Sequence, residues 1–136
     1  MRFEIVTIFP EAIEAFAGIG LIGKAVEAGT LRIEAVSPRR FTTNRHASVD
    51  DAPYGGGSGM VMLAEPLAQT MDAFDQAASA AGAARSHRVL LTPQGAPFTQ
   101  AGARRLATHA GLMLICGRYE GVDERVRALV DEQLSL

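Results

Sequence analysis

Three near-continuous apolar runs, each halted by proline or glycine, constrain this chain more than any other feature. Phe3 to Phe9 ends at Pro10, Val89-Leu90-Leu91 leads into the turn Thr92-Pro93-Gln94-Gly95, and Leu112 to Cys116 leads into Gly117. Runs of strand length bounded by turn residues read as strands buried on both faces. Leu31, Ile33 and Ala35 alternate with Arg32 and Glu34 up to Ser37-Pro38, the period of a further strand. Helical spacing fills the intervals. From Glu11 to Ala28 the apolar positions fit two short helices broken around Gly18 and Gly20, with Gly29 as a C-cap. Behind Pro66, suited to a first helical turn, Leu67, Met71, Phe74 and Ala78 recur at i, i+4, i+7 and i+11. That helix decays into the alanine-rich stretch from Ala80 to Ala84, a frayed end or a linker, and another helix is expected from about Gln100 to Ala107. Strands alternating with helices predict an α/β fold with a mainly parallel sheet and flanking helices, in which ligands bind beyond the carboxyl ends of strands.

Composition narrows the class. With 136 residues and 48% hydrophobic content the chain has enough for one compact domain and its core. A formal charge of −2 excludes a global basic field, so nucleic-acid contact must rest on local clusters of Arg and Lys. A single cysteine, Cys116, leaves no internal disulfide and no repeated zinc-ligand pattern, and fits a reducing cytoplasm. An early acid, Glu4, and the lack of any stretch of about 18 uncharged apolar residues predict a protein with no membrane segment and no targeting signal.

Four segments have the composition of sites. Gly18-Ile19-Gly20-Leu21-Ile22-Gly23-Lys24 matches both G-x-G-x-x-G and G-x-x-x-x-G-K. Helical residues Glu11 to Ala17 intervene after the first strand, though, and Ala25 replaces the magnesium-holding Ser or Thr, so it reads as a glycine break between helices. Residues Arg39 to Gly59 follow neither period and form one long loop. Within it, Pro53-Tyr54-Gly55-Gly56-Gly57-Ser58-Gly59-Met60 suits a backbone that approaches a ligand closely, with simple flexibility as the rival. Arg39, Arg40, Arg45, His46, Asp50 and Asp51 stand just upstream, as phosphate contacts and carboxylates. Cys116 could be a nucleophile served by His46, His87 or His109, or a small buried hydrophobe closing a strand. Finally, Gly117-Arg118-Tyr119-Glu120-Gly121-Val122-Asp123-Glu124-Arg125 gathers charge, an aromatic ring and two glycines past a buried strand; the alternative is a turn in which Asp123 caps the next helix.

In order and spacing, Ile8-Phe9-Pro10-Glu11, Gly23-Lys24-Ala25, Val49-Asp50-Asp51, the glycine-rich loop, Pro93-Gln94-Gly95 and Cys116 to Arg125 together resemble the bacterial tRNA (guanine-N1)-methyltransferases, of the trefoil-knotted SPOUT class. Ser58 departs from the proline common there. The resemblance implies methyl transfer from S-adenosylmethionine to N1 of the guanine immediately 3′ of the anticodon (position 37), by a cytoplasmic homodimer with its site at the dimer interface. It places Leu90, Thr92, Pro93, Gly117, Tyr119 and Glu120 against the donor. Tyr54, Gly55, Gly56, Gly57, Ser58 and Gly59 would then receive the target guanine, and Glu120 is the candidate for the family's magnesium dependence. It further implies that residues 1–136 are the N-terminal portion of an incomplete SPOUT domain, with the knot-completing segment, the C-terminal helical domain and the aspartate base absent. On that expectation no residue present is assigned as catalytic, Asp50, Asp51 and Asp123 included, and the chain alone is inactive. The alternatives are a noncatalytic RNA- or nucleotide-binding module and a small hydrolase using Cys116.

Overall fold

The computed structural model describes residues 1–53 and 55–136. The first apolar run forms β1 (Arg2–Val6), burying Ile5 and Val6. It stops short of Phe9 because the Thr7 hydroxyl accepts the Phe9 amide at 3.2 Å, turning the chain off the sheet. Pro10 then opens α1 (Pro10–Ala17), and α2 (Gly20–Glu27) follows, so the two short helices are present. A side chain at Gly23 would place its Cβ 2.6 Å from the Gly18 carbonyl oxygen. The glycines of that segment therefore let two helices meet, and the phosphate-loop frame is a packing pattern. Next come β2 (Arg32–Val36) and a 3-10 turn over Pro38–Phe41 capped by Ser37.

The long loop is less irregular than its composition predicts. Two-residue strands β3 (Asp50–Asp51) and β4 (Val61–Met62) pair antiparallel across its neck. The helix α3 (Ala64–Ala80) buries Leu67, Met71, Phe74 and Ala78, the four positions that its periodicity selects. Then β5 (His87–Pro97) leads to α4 (Gln100–Leu106), whose Thr99 side chain accepts the Gly102 amide as an N-cap. A third long apolar run forms β6 (Gly111–Cys116). The segment beyond is a 3-10 helix, Glu124–Leu129, capped by Asp123, and a last strand, β7 (Glu132–Ser135), that the residues did not announce.

The sheet runs β2-β1-β6-β5-β7, and every pairing is parallel. Its two faces are covered separately. On one, Leu67, Met71 and Phe74 of α3 pack on Val6, Leu90, Met113 and Ile115. On the other, Leu106 of α4 joins Val89, Leu112 and Leu134. The expected turn at Thr92 to Gly95 instead belongs to β5, as an excursion out of register: Leu134 of β7 is opposite both Leu91 and Ala96. Pairing with β7 on both sides keeps this segment extended.

Side chains also fasten β7. Asp131 accepts Arg85 Nη1 at 3.0 Å and Nη2 at 2.8 Å, and its Oδ2 accepts the Arg88 amide at 2.7 Å. The Arg85 guanidinium holds the Asp131 carboxyl down at about 2. A carboxyl lowered on folding stabilises fully above its unfolded value and stops doing so as pH falls through its folded value. The half-exposed site is screened, so Asp131 is expected to contribute about 1 kcal/mol, lost from about pH 4 to about pH 2. Melting curves across that window should show a smaller acid-induced fall for Asp131→Asn than for the parent.

Candidate functional site

Adjacent parallel strands β5 and β6 end side by side, with Leu91 opposite Cys116. The segments leaving them, Thr92-Pro93 and Gly117 to Val122, form the walls of a cleft of about 220 Å³. Five of the six residues assigned to the donor, Thr92, Pro93, Gly117, Tyr119 and Glu120, come together there. The sixth, Leu90, is 1% exposed and belongs to the core beneath, where it packs with the α3 face. Leu91 and Val122, neither of them assigned to the donor, add apolar wall. Tyr119 adopts φ +64°, a left-handed conformation that a bulky residue holds only under constraint.

That constraint is visible in the backbone. The Glu120 amide donates to the Met60 carbonyl at 3.0 Å, the Met62 amide to Gly121 at 3.0 Å, and the Asp123 amide to Met62 at 2.9 Å. Met62, fully buried, also receives the Arg118 amide on its sulfur at 3.3 Å. These bonds sew the glycine-rich loop to the turn after β6, so two segments some sixty positions apart form one unit. Gly55, Gly56, Gly57, Ser58 and Gly59 lie exposed on it, whereas Tyr54 lies outside the described residues. Gly59 has φ +95°, and a Cβ there would collide with Glu120 Cγ and lie 3.0 Å from its Oε1. The Glu120 side chain thus fills the space that a side chain at Gly59 would need.

The charged neighbours are already engaged. Asp123 accepts the Arg125 amide at 2.9 Å, its Nε at 3.0 Å and its Nη2 at 2.7 Å. Bonding to the Arg125 side chain holds its carboxyl below the usual range, which makes it a poor proton acceptor. Arg39 donates to the Ile8 carbonyl at 3.1 Å, and Arg118 lies over the Phe9 ring, 5.7 Å from its centroid. Burial pushes the Cys116 thiol up. His87 and His109 stack on each other at the amino-terminal ends of β5 and β6, the far side of the sheet from Cys116. The hydrolase constellation is not assembled among these residues. Among the described residues no three His, Cys, Asp or Glu side chains converge to hold a metal ion, and Glu120 stands alone at the cleft.

A second hollow, about 530 Å³, opens against β4 between Asp51, Pro53, Leu63, Asp123 and Arg125. The neck strands and Met62, which join both hollows, escaped the sequence because two-residue strands carry no period. Only the hydrophobic Met60-Val61-Met62-Leu63 run after the last glycine hinted at an anchor.

Known proteins resemble the chain along its full length. The family model described as tRNA (Guanine-1)-methyltransferase TrmD matches residues 1–136. A tRNA (guanine-N(1)-)-methyltransferase of Sorangium cellulosum is 49% identical, with all of this chain and 58% of that protein aligned. Its namesake from Methylibium petroleiphilum is 47% identical over all of this chain and 54% of that protein. The crystal structure of tRNA (m1G37) methyltransferase from Aquifex aeolicus superposes with a TM-score of 0.88 at 34% identity, over all of this chain and 59% of that one. The chain thus spans a little over half the length of the relatives it matches.

Proposed function

This chain belongs to the tRNA (guanine-1)-methyltransferase family, and from that premise we propose that it serves methyl transfer from S-adenosylmethionine to N1 of the guanine 3′ of a tRNA anticodon. The observation that carries the reading is the convergence of Thr92, Pro93, Gly117, Tyr119 and Glu120 on one cleft, sewn to a glycine-rich loop. The residues fit such a donor. Leu91, Pro93 and Val122 offer apolar wall to an adenine, and the exposed backbone of the Gly117 turn offers amides and carbonyls to a ribose and an amino acid end. Bound there, S-adenosylmethionine would supply an electrophilic methyl on a sulfonium. The glycine-rich loop, exposed and held beside the cleft through Met60 and Met62, would present Gly55 to Gly59 to the guanine.

Guanine N1 carries a proton at neutral pH, so a base must take it as the methyl is attacked in line. Asp123, held by Arg125, is a poor candidate for that base. The 136-residue polypeptide assayed by itself is expected to be inactive, since it spans little more than half the length of the relatives it matches and Asp123 is already engaged. The reading also takes two copies to pair, which would give the exposed Phe16, Ile19 and Leu21 of the α1–α2 corner somewhere to be buried.

Calorimetry tests it directly. Titrating the chain with S-adenosylmethionine and, separately, with tRNA should show saturable donor binding that weakens in Pro93→Gly and Tyr119→Ala. Binding of tRNA without any of the donor would favour a noncatalytic RNA-binding module instead. Sustained methylation of tRNA by these 136 residues alone, at the rate of a full-length relative, would overturn the expected inactivity.

A further inference from the structure

At the end of the sheet remote from the cleft, β7 is gripped by charge. Glu132, its first residue, accepts Arg105 Nη1 at 3.0 Å on Oε1 and Nη2 at 2.6 Å on Oε2. His87 Nε2 lies 2.7 Å from the same Oε1, and the His109 ring stacks on His87 at 4.2 Å between centroids. One residue earlier, Asp131 is forked by Arg85. The grip therefore draws β5, α4 and the approaches to β5 and β6 onto one end of a four-residue edge strand.

We propose that Arg105 and Glu132 are positioning residues for the cleft: their ion pair, braced by His87, sets where β7 lies, and β7 sets the shape of the Thr92–Gly95 excursion. Leu134 is the one buried residue of β7 and therefore its sole apolar anchor, so pairing alone holds such a strand weakly. Two residues, or about 7 Å of extended chain, separate Glu132 from Leu134. Leu134 is in turn the shared partner of Leu91 and Ala96, the two edges of the excursion that carries Thr92 and Pro93. Gly95 packs directly on the backbone of Gln133 and Leu134, leaving no space even for a Cβ between the excursion and β7. Exposed ion pairs are usually weak, but this one is a bidentate fork on a carboxylate that is only 19% exposed and has a third partner. The consequence for donor affinity rests on the reading of the cleft given above; the mechanical link does not.

Hydrogen exchange on Arg105→Gln and Glu132→Gln, compared with the conservative Arg105→Lys, separates the possibilities. The amides of β7 that pair with β5, and that of Phe98, which donates to Ser135 at 2.8 Å, are expected to exchange at least about tenfold faster in the two Gln variants. Arg105→Lys should restore part of the protection, and amides of β1 and β6 should be unchanged. Calorimetric affinity for S-adenosylmethionine should fall by about tenfold in the Gln variants, with the melting temperature barely moved. Unchanged exchange at β7 in a folded Gln variant overturns the proposal. So does an equal rise across β1 and β6, which marks a general structural role. If the parent chain binds no S-adenosylmethionine, the reading of the cleft fails, while the exchange comparison still decides the positioning role.

Discussion

Gly95→Ala is expected to lower the melting temperature by about 10 °C, a cost of about 3 kcal/mol for one methyl group. A Cβ at Gly95 would stand 2.5 Å from the Leu134 nitrogen, 2.6 Å from its carbonyl carbon and 2.7 Å from that of Gln133. All three atoms are backbone, so no rotamer change relieves the clash. Either β7 moves out or the excursion does, and both break the double pairing of Leu134 with Leu91 and Ala96. Gly102 is the control. Its added methyl would meet Thr99 Oγ1 at an ordinary 3.5 Å inside α4, where alanine is the better helix former. A thermal melt in which Gly95→Ala matches Gly102→Ala would mean that the strands are not in this contact.

Gly59→Ala should weaken donor binding by at least about tenfold, more than its cost in stability alone explains. Two effects combine. The φ of +95° costs an alanine roughly 1–3 kcal/mol, and the new methyl collides with the Glu120 side chain at Cγ, close to the backbone where swinging the carboxylate aside gives no relief. Glu120 must leave the place it holds in the cleft, and its amide bond to Met60 is pulled with it. By the conversion used for Gly95→Ala, that strain should lower the melting temperature by roughly 3–10 °C. Amide chemical shifts of Glu120 and Gly121 report the displacement without any ligand. Unperturbed shifts together with unchanged affinity would disprove the coupling.

What could be read from the sequence followed from period and from turn chemistry. Leu67, Met71, Phe74 and Ala78 announce α3 because a helix repeats its buried face, and the all-parallel sheet follows from strands buried on both sides alternating with helices. Glycine and polar residues crowding after two buried strands marked the turns after β5 and β6 as places for a ligand, while only the family resemblance singled out Thr92, Pro93, Gly117, Tyr119 and Glu120, which line one cleft. Glu132-Gln133-Leu134-Ser135 gave no sign of being a strand, since one apolar residue in four has no pattern and its pairing is supplied by β5. The excursion at Thr92 resembles an ordinary turn for the same reason: only β7 makes it part of a strand. Leu90 sits where a motif runs through the core, one residue before the chain becomes accessible.

The strand order carries a consequence for how the chain reaches this state. β1 lies between β2 and β6, with Arg2 opposite Gly111 and Val6 opposite Ile115. During synthesis the first strand can pair early with β2 but must wait for more than four-fifths of these residues before its central neighbour exists. Until then Ile5, Val6 and Ile8 have no lasting cover, so nascent chains stalled before Gly111 are expected to need chaperone protection and to aggregate when it is withheld. β7 in turn can join β5 only once residues 132–135 have left the ribosome, so the Thr92–Gly95 excursion gains its pairing partner after β5 and β6 have both emerged.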